Sequence, residues 1–312
     1  MKQENLVVPS QFDGLPLSIL ITLPEGSPRA LVQFSHGMCE YKERYLPFME
    51  FLTGHGFACI INDHRGHGKS VRSQKDLGYF GEKGQGAEGL LQDLHQITGL
   101  FKARFPGLPL YLFGHSMGSL AARCYARRWD SDLNGLVVCG CPGHNPAVGL
   151  GLRLSRFLSL FGGQRHKSPL LAGVMFGSFN RAVGAKGRNA WVCRNEEVVS
   201  AYNSDPLCGF IFTVNGYESL FRLMMECYGE DGWAVSQPQL PIAFISGGDD
   251  PCRVSDQGFA AAGEHLRARG YQNVTQKLYP GLRHEILNEG DMQVWQDVCD
   301  TLLRWLGEEP AR

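Results

Sequence analysis

Short apolar runs alternate with helix-patterned segments through both ends of this chain, and that alternation leaves few folds open. Residues 17–23 (LSILITL), 30–35 (ALVQFS), 57–62, 110–113, 135–139 (GLVVC), 241–246 (PIAFIS) and 273–279 (NVTQKLY) read as strands. Helical patterns are predicted over about 87–105, closed by Pro106-Gly107, and over 117–128, 256–269 and 291–306. Strand, helix, strand at this spacing predicts a mostly parallel sheet with crossover helices on both faces. The near-continuous apolar strands fit a sheet buried on both sides. The alternation breaks at about Cys141 and resumes after Ser236. A structureless loop of that length is implausible in a compact domain. Residues 1–140 and 237–312 are therefore expected to form one α/β core, and 141–236 an inserted helical cap that includes a helix near 150–161.

Composition narrows the function classes. The 312 residues carry 30 basic and 31 acidic side chains, a formal net charge of -1. Such a surface offers no basic footprint for nucleic acid and no polybasic segment for an anionic membrane. The N-terminal apolar run is too short for a signal peptide, and no apolar stretch is long enough to span a bilayer. The reading is a soluble, cytoplasmic protein. The ten cysteines show no paired C-x-x-C metal pattern, so they are expected as reduced, mostly buried thiols. No metal or cofactor is expected.

The chemistry centres on Gly114-His115-Ser116-Met117-Gly118. It fits G-x-S-x-G, with a predicted strand before it and a helix after it. There the motif makes a sharp turn that lifts a serine hydroxyl clear of the sheet. A serine is a weak nucleophile at neutral pH, so a base must take its proton. In folds with this elbow, an acid and then a histidine follow in the chain. His284, between the last predicted strand and the last helix, is the candidate base. The acid should follow strand 241–246, where Asp249 and Asp250 adjoin; periodicity does not separate them. The strand at 30–35 runs into His36-Gly37-Met38. The backbone N–H groups of Met38 and Met117 are the candidate oxyanion donors. The polar run Asp63-His64-Arg65-Gly66-His67-Gly68-Lys69-Ser70 reads as a structural turn, because it lacks a metal site's ligand geometry.

Taken together, HGMCEYKERY (36–45), DHRGHGKS (63–70), PGLPLYLFGHSMGS (106–119), ISGGDDPC (245–252) and YPGLRHEILNE (279–289) resemble the monoacylglycerol lipase and lysophospholipase group of α/β hydrolases, also called the serine aminopeptidase S33-like set. WVCRNEEVVSAYNSDPLCGF (191–210) resembles bacterial members. The resemblance implies an α/β-hydrolase fold, Ser116 as nucleophile, His284 as base and Met38 in the oxyanion loop. Its G-x-x-D acid, counted from Gly247, falls on Asp250. Tyr41 stands where lipases of the group carry a histidine.

The implied activity is cleavage of a carboxylic ester, with a small lipid-like molecule as substrate and any membrane contact peripheral. The apolar segment 146–176 fits an acyl chain. An aminopeptidase would need a cap carboxylate, with Glu196, Glu197, Asp205 and Glu218 as candidates. A thioesterase could use the same three groups. A non-catalytic binding module is the remaining alternative.

Overall fold

The computed structural model describes residues 1–309. Eight strands form one sheet: β1 (Lys2–Pro9), β2 (Pro16–Leu23), β3 (Ala30–Ser35), β4 (Phe57–Asn62), β5 (Leu110–His115), β6 (Gly135–Cys139), β7 (Ile242–Gly247) and β8 (Val274–Tyr279). Their order is β1-β2-β4-β3-β5-β6-β7-β8. Only β2 opposes its neighbours, pairing antiparallel with β1 and β4; every other pair is parallel. All seven predicted strands recur, those at 30–35, 57–62 and 135–139 with the expected ends and the others shifted by one or two residues. β1 was not expected. Its exposed sequence KQENLVVP has no buried face, and eight consecutive pairings with β2 hold it at the sheet edge.

The helices are α1 (Leu46–Gly54), α2 (Gly86–Arg104), α3 (Met117–Trp129), α4 (Val148–Gly162), α5 (Pro169–Phe176), α6 (Phe179–Ala182), α7 (Glu196–Ser204), α8 (Val214–Cys227), α9 (Asp256–Ala268) and α10 (Met292–Trp305). Alternation along the strands sends successive residues to two cores. Leu31, Leu112, Leu136 and Phe244 face one core, with α2, α3, α8 and α9. Val32, Phe113, Val137 and Ile245 face the other, with α1 and α10. The two layers shield both faces of the central strands from water, which is what their apolar sequences require.

Between β6 and β7 the chain is helical, from α4 to α8. Helix α8 packs against α2 and α3 as part of the core, while α4 rests on α8. Helices α4 and α5 leave large apolar side chains in water, among them Phe157 (56 % exposed), Leu160 (74 %) and Phe161 (78 %).

The polar run after β4 is a turn. Asp63 accepts hydrogen bonds from the amides of Lys42 (2.9 Å) and Lys69 (2.8 Å), and Lys42 Nζ lies 3.0 Å from it. Arg65 is buried and paired with Asp93 at 2.9 Å and Asp13 at 3.1 Å. The histidines here pack against each other's rings, His36 on His64 at 4.2 Å between centroids.

Candidate active site

Ser116 sits between β5 and α3 at φ 52° and ψ -119°, a conformation costly for a residue with a Cβ. The surrounding structure enforces it. The Ser116 amide donates to the Cys139 carbonyl at 3.0 Å, and the Ser116 carbonyl accepts from the Ser119 amide at 2.9 Å. The flanking glycines are needed for close approach. A Cβ on Gly118 would come 1.9 Å from the Ser35 carbonyl oxygen, and one on Gly114 would come 2.5 Å from the Gly118 oxygen. The chain can therefore turn from strand to helix in one residue only with glycine at both positions.

His284 follows β8, and Asp250 follows β7. His284 Nδ1 lies 2.9 Å from Asp250 Oδ2, and both residues are buried. Asp250 also accepts from the Cys252 amide (2.9 Å) and the Ser246 hydroxyl (3.0 Å). Burial opposes ionisation of Asp250. The charge and hydrogen bond of His284, with the two other donors, outweigh it and hold the carboxyl below the usual range. Asp249, by contrast, is exposed and reaches the site only through its amide, which donates to the Leu282 carbonyl.

Ser116 and His284 line the same cavity, which measures about 930 Å³. Among the described residues, the His284 ring bonds Asp250 through Nδ1 and no hydrogen bond joins it to the Ser116 hydroxyl; Nε2 instead lies 3.9 Å from Cys252 Sγ. Such contacts are often long without substrate and tighten when it binds. Met38 and Met117 also line the cavity. Among the described residues, no turn or loop hydrogen bond takes the Met38 amide, and Met117, as the first residue of α3, has no partner one turn earlier in the helix. Met117 opens α3, where the unpaired amides and the helix dipole favour negative charge.

Behind these groups lies a buried network that sequence reasoning did not single out. Glu40 Oε1 accepts from the Gly37 amide at 2.6 Å, from Tyr45 Oη at 3.0 Å and lies 3.2 Å from His115 Nδ1. Its other oxygen takes Arg44 Nη1 at 2.8 Å, and Arg44 also grips Glu285 with two hydrogen bonds of 2.7 and 2.6 Å. His115 Nε2 lies 3.2 Å from the His284 carbonyl. Burial opposes charge on both Glu40 and His115, but their mutual contact prevails: Glu40 is held well below the usual carboxylate range and His115 is raised. One carboxylate thus ties together the turn before Met38, the residue before Ser116 and the loop of His284. The signal lay within HGMCEYKERY, but the partners stand 75 and 241 residues away.

The insertion meets the same loop. Cys39 takes φ 57°, and its carbonyl accepts from Tyr202 Oη on α7 and from the Gly209 amide, both at 3.0 Å. Tyr41 donates to Asp205 at 2.7 Å.

The family pattern described as serine aminopeptidase, S33, matches residues 26–291. The chain belongs to that family. This S33-family chain is 26% identical over 298 residues to a monoacylglycerol lipase of Mycolicibacterium smegmatis, covering 94% of the chain and 93% of the relative. It is 25% identical over 303 residues to the human monoglyceride lipase, covering 96% and 89%. A crystal structure of a thermostable carboxyl esterase from Bacillus coagulans, in complex with glycerol, superposes with a TM-score of 0.89 at 27% identity, covering 98% and 99% of the two chains. The α/β-hydrolase fold expected from the sequence is the fold of this S33-family chain.

Proposed function

We propose that this chain hydrolyses carboxylic esters of acyl chains, of the monoacylglycerol or lysophospholipid type, through Ser116, His284 and Asp250. The observation that carries the reading is the buried His284–Asp250 hydrogen bond facing the same cavity as a serine held at a strained elbow. Asp250 holds the imidazole with Nδ1 protonated, leaving the Nε2 lone pair to take the Ser116 proton. The alkoxide attacks the ester carbonyl, and the oxyanion settles on the amides of Met38 and Met117, each such donor lowering the barrier by roughly 3 kcal/mol. His284 protonates the leaving alcohol. Water then repeats the sequence on the acyl-enzyme and releases the acid.

The substrate class follows from the cavity. Its walls include Leu120, Leu154, Val174, Phe179, Leu220 and Phe221, an apolar lining suited to an acyl chain. The part of the insertion that precedes α8, carrying α4 to α7, serves as the cap over it, while α8 packs with the core. The aminopeptidase reading has no comparable support. Glu196 and Glu197 are exposed, Asp205 accepts from Tyr41, and Glu218 pairs with Arg222 at 2.9 Å. None of the four lines the cavity, and the carboxylates that do, Glu40 and Glu285, are both bound to Arg44.

Among the described residues, no helix is long and apolar enough to cross a membrane. Leu150, Phe157, Leu160 and Phe161 on α4, with Leu170 and Val174 on α5, offer an exposed apolar face for peripheral contact with lipid. The ten unpaired, buried cysteines fit a reducing compartment such as the cytoplasm.

A fluorophosphonate probe with Ser116→Ala as control tests the reading. The wild-type protein should label at Ser116. The variant should lose both labelling and esterase kcat, the latter by on the order of 10⁴-fold. Retained activity in the variant overturns the assignment. Rates on p-nitrophenyl esters of increasing chain length, beside aminoacyl amides and an acyl-CoA, separate ester, amide and thioester preference.

A further inference from the structure

The proposed mechanism has no use for a thiol, yet Cys252 places one at the nitrogen that must carry the proton. Cys252 Sγ lies 3.9 Å from His284 Nε2. The ligand atoms of Asp250, Cys252 and His284 all lie within 4.8 Å of one another, and all three residues are buried. The Cys252 backbone is anchored by its amide on Asp250 Oδ1 at 2.9 Å, so the acid loop fixes the point from which the thiol projects. Cys252 and His284 both line the cavity, beside Ser116.

This arrangement has the chemistry of a soft-metal chelate. A tetrahedral zinc ion takes thiolate sulfur at about 2.3 Å and imidazole nitrogen at about 2.0–2.1 Å, which sets the two ligand atoms about 3.6 Å apart. A few tenths of an ångström of side-chain movement closes the observed 3.9 Å to that spacing. The second sphere is in place as well. Metal-bound histidines usually donate their other ring N–H to a carboxylate, and Asp250 Oδ2 stands 2.9 Å from Nδ1. The same hydrogen bond that prepares Nε2 to take a proton prepares it to take a cation.

We propose that Cys252 Sγ and His284 Nε2 form a binding site for a thiophilic divalent cation of the zinc class, and that its occupation blocks hydrolysis. Asp250 is the outer carboxylate, and water from the cavity fills the two remaining tetrahedral positions. The reaction exchanges one proton for the metal: the S–H bond breaks, a sulfur–metal bond forms, and the proton passes to solvent. Burial beside Asp250 keeps the thiol protonated until then. Hard cations such as Mg²⁺ and Ca²⁺ gain nothing from sulfur and should not compete. Binding depends on the geometry alone; the loss of activity rests on the proposed role of His284 as base.

The test uses the full-length protein and two readouts. Cd²⁺ titration should raise a cadmium–thiolate charge-transfer band at one equivalent, and Zn²⁺ should inhibit p-nitrophenyl ester hydrolysis where Mg²⁺ and Ca²⁺ do not. Cys252→Ser should abolish the band and raise the half-inhibiting Zn²⁺ concentration at least tenfold. Cys252→Ala, checked by thermal unfolding, serves if the serine variant folds poorly. In the wild-type protein, Zn²⁺ should also protect Cys252 from N-ethylmaleimide, mapped by mass spectrometry. A band or zinc sensitivity that survives both substitutions, or no protection of Cys252, overturns the proposal. Zinc held by Cys252 without loss of rate overturns the proposal that its occupation blocks hydrolysis.

Discussion

Glu40→Gln isolates the buried network that aligns the candidate catalytic groups. The native carboxylate takes four contacts: Gly37 N–H at 2.6 Å, Tyr45 Oη at 3.0 Å and His115 Nδ1 at 3.2 Å on one oxygen, and Arg44 Nη1 at 2.8 Å on the other. Glutamine keeps one acceptor and turns the other into an NH₂ donor. That donor must then face either the Arg44 guanidinium or the three donors on the opposite side, so at least one native contact becomes donor against donor. Hydrogen bonds to charged groups contribute roughly 1.5–3 kcal/mol each, and leaving a buried charge wholly unpaired costs about 3–5 kcal/mol. Arg44 keeps its two bonds to Glu285, which limits the loss. The expected destabilisation is about 3 kcal/mol, read as a lower midpoint in thermal or urea unfolding. The kinetic effect is separate. Gly37 precedes Met38, and removing an oxyanion donor outright costs 10²- to 10³-fold in rate, so displacing one should lower kcat by roughly 10- to 100-fold. KM for a short p-nitrophenyl ester should change little, because glutamine matches glutamate in size and the apolar walls of the cavity keep their residues. A variant that loses the expected stability yet keeps kcat within about twofold would show that Glu40 only holds the fold, and the positioning argument would fail.

Asp250→Asn should lower kcat by on the order of 10³- to 10⁴-fold through loss of the correct histidine tautomer, while Asp249→Asn, at an exposed position, should stay within a few-fold; the reverse ranking in steady-state kinetics would displace Asp250 as the acid. Acid stability should be governed in part by His36, His64 and His67, whose burial depresses their pKa values, that of His67 to about 3. Because the folded value lies below the unfolded value of about 6.5, each of these histidines should take up a proton on unfolding, so stability is intact above that pH and falls as the pH drops from there toward each folded value, by at most about 1.4 kcal/mol per pH unit per histidine. Urea unfolding midpoints across this range measure the slope, and a flat profile would refute the reasoning. Phe157→Ser combined with Phe161→Ser should weaken binding to phosphatidylcholine vesicles in a flotation assay and leave hydrolysis of a short soluble ester within about twofold; undiminished vesicle binding would remove α4 as the lipid-facing surface.

What the amino-acid sequence determined is what depends on neighbours in the chain. The apolar strand, the G-x-S-x-G turn and the helix after it lie within about twenty residues, and sterics alone require Gly114 and Gly118. The run of parallel strands was likewise legible, because burial on both faces writes itself into continuous apolar segments. Tertiary structure decided the rest. Asp249 and Asp250 differ by one position, and only the packing of the β7 loop against His284 buries one and exposes the other. β1 has no apolar face to announce it and is a strand because β2 offers an edge. Helix α8 belongs with the core, which its place in the insertion did not reveal. The Glu40 network reaches His115 and, through Arg44, Glu285, across 75 and 241 positions, and the Cys252–His284 contact spans 32. Such contacts form only when the sheet brings the C-terminal ends of its parallel strands to one rim, a condition that no local pattern encodes.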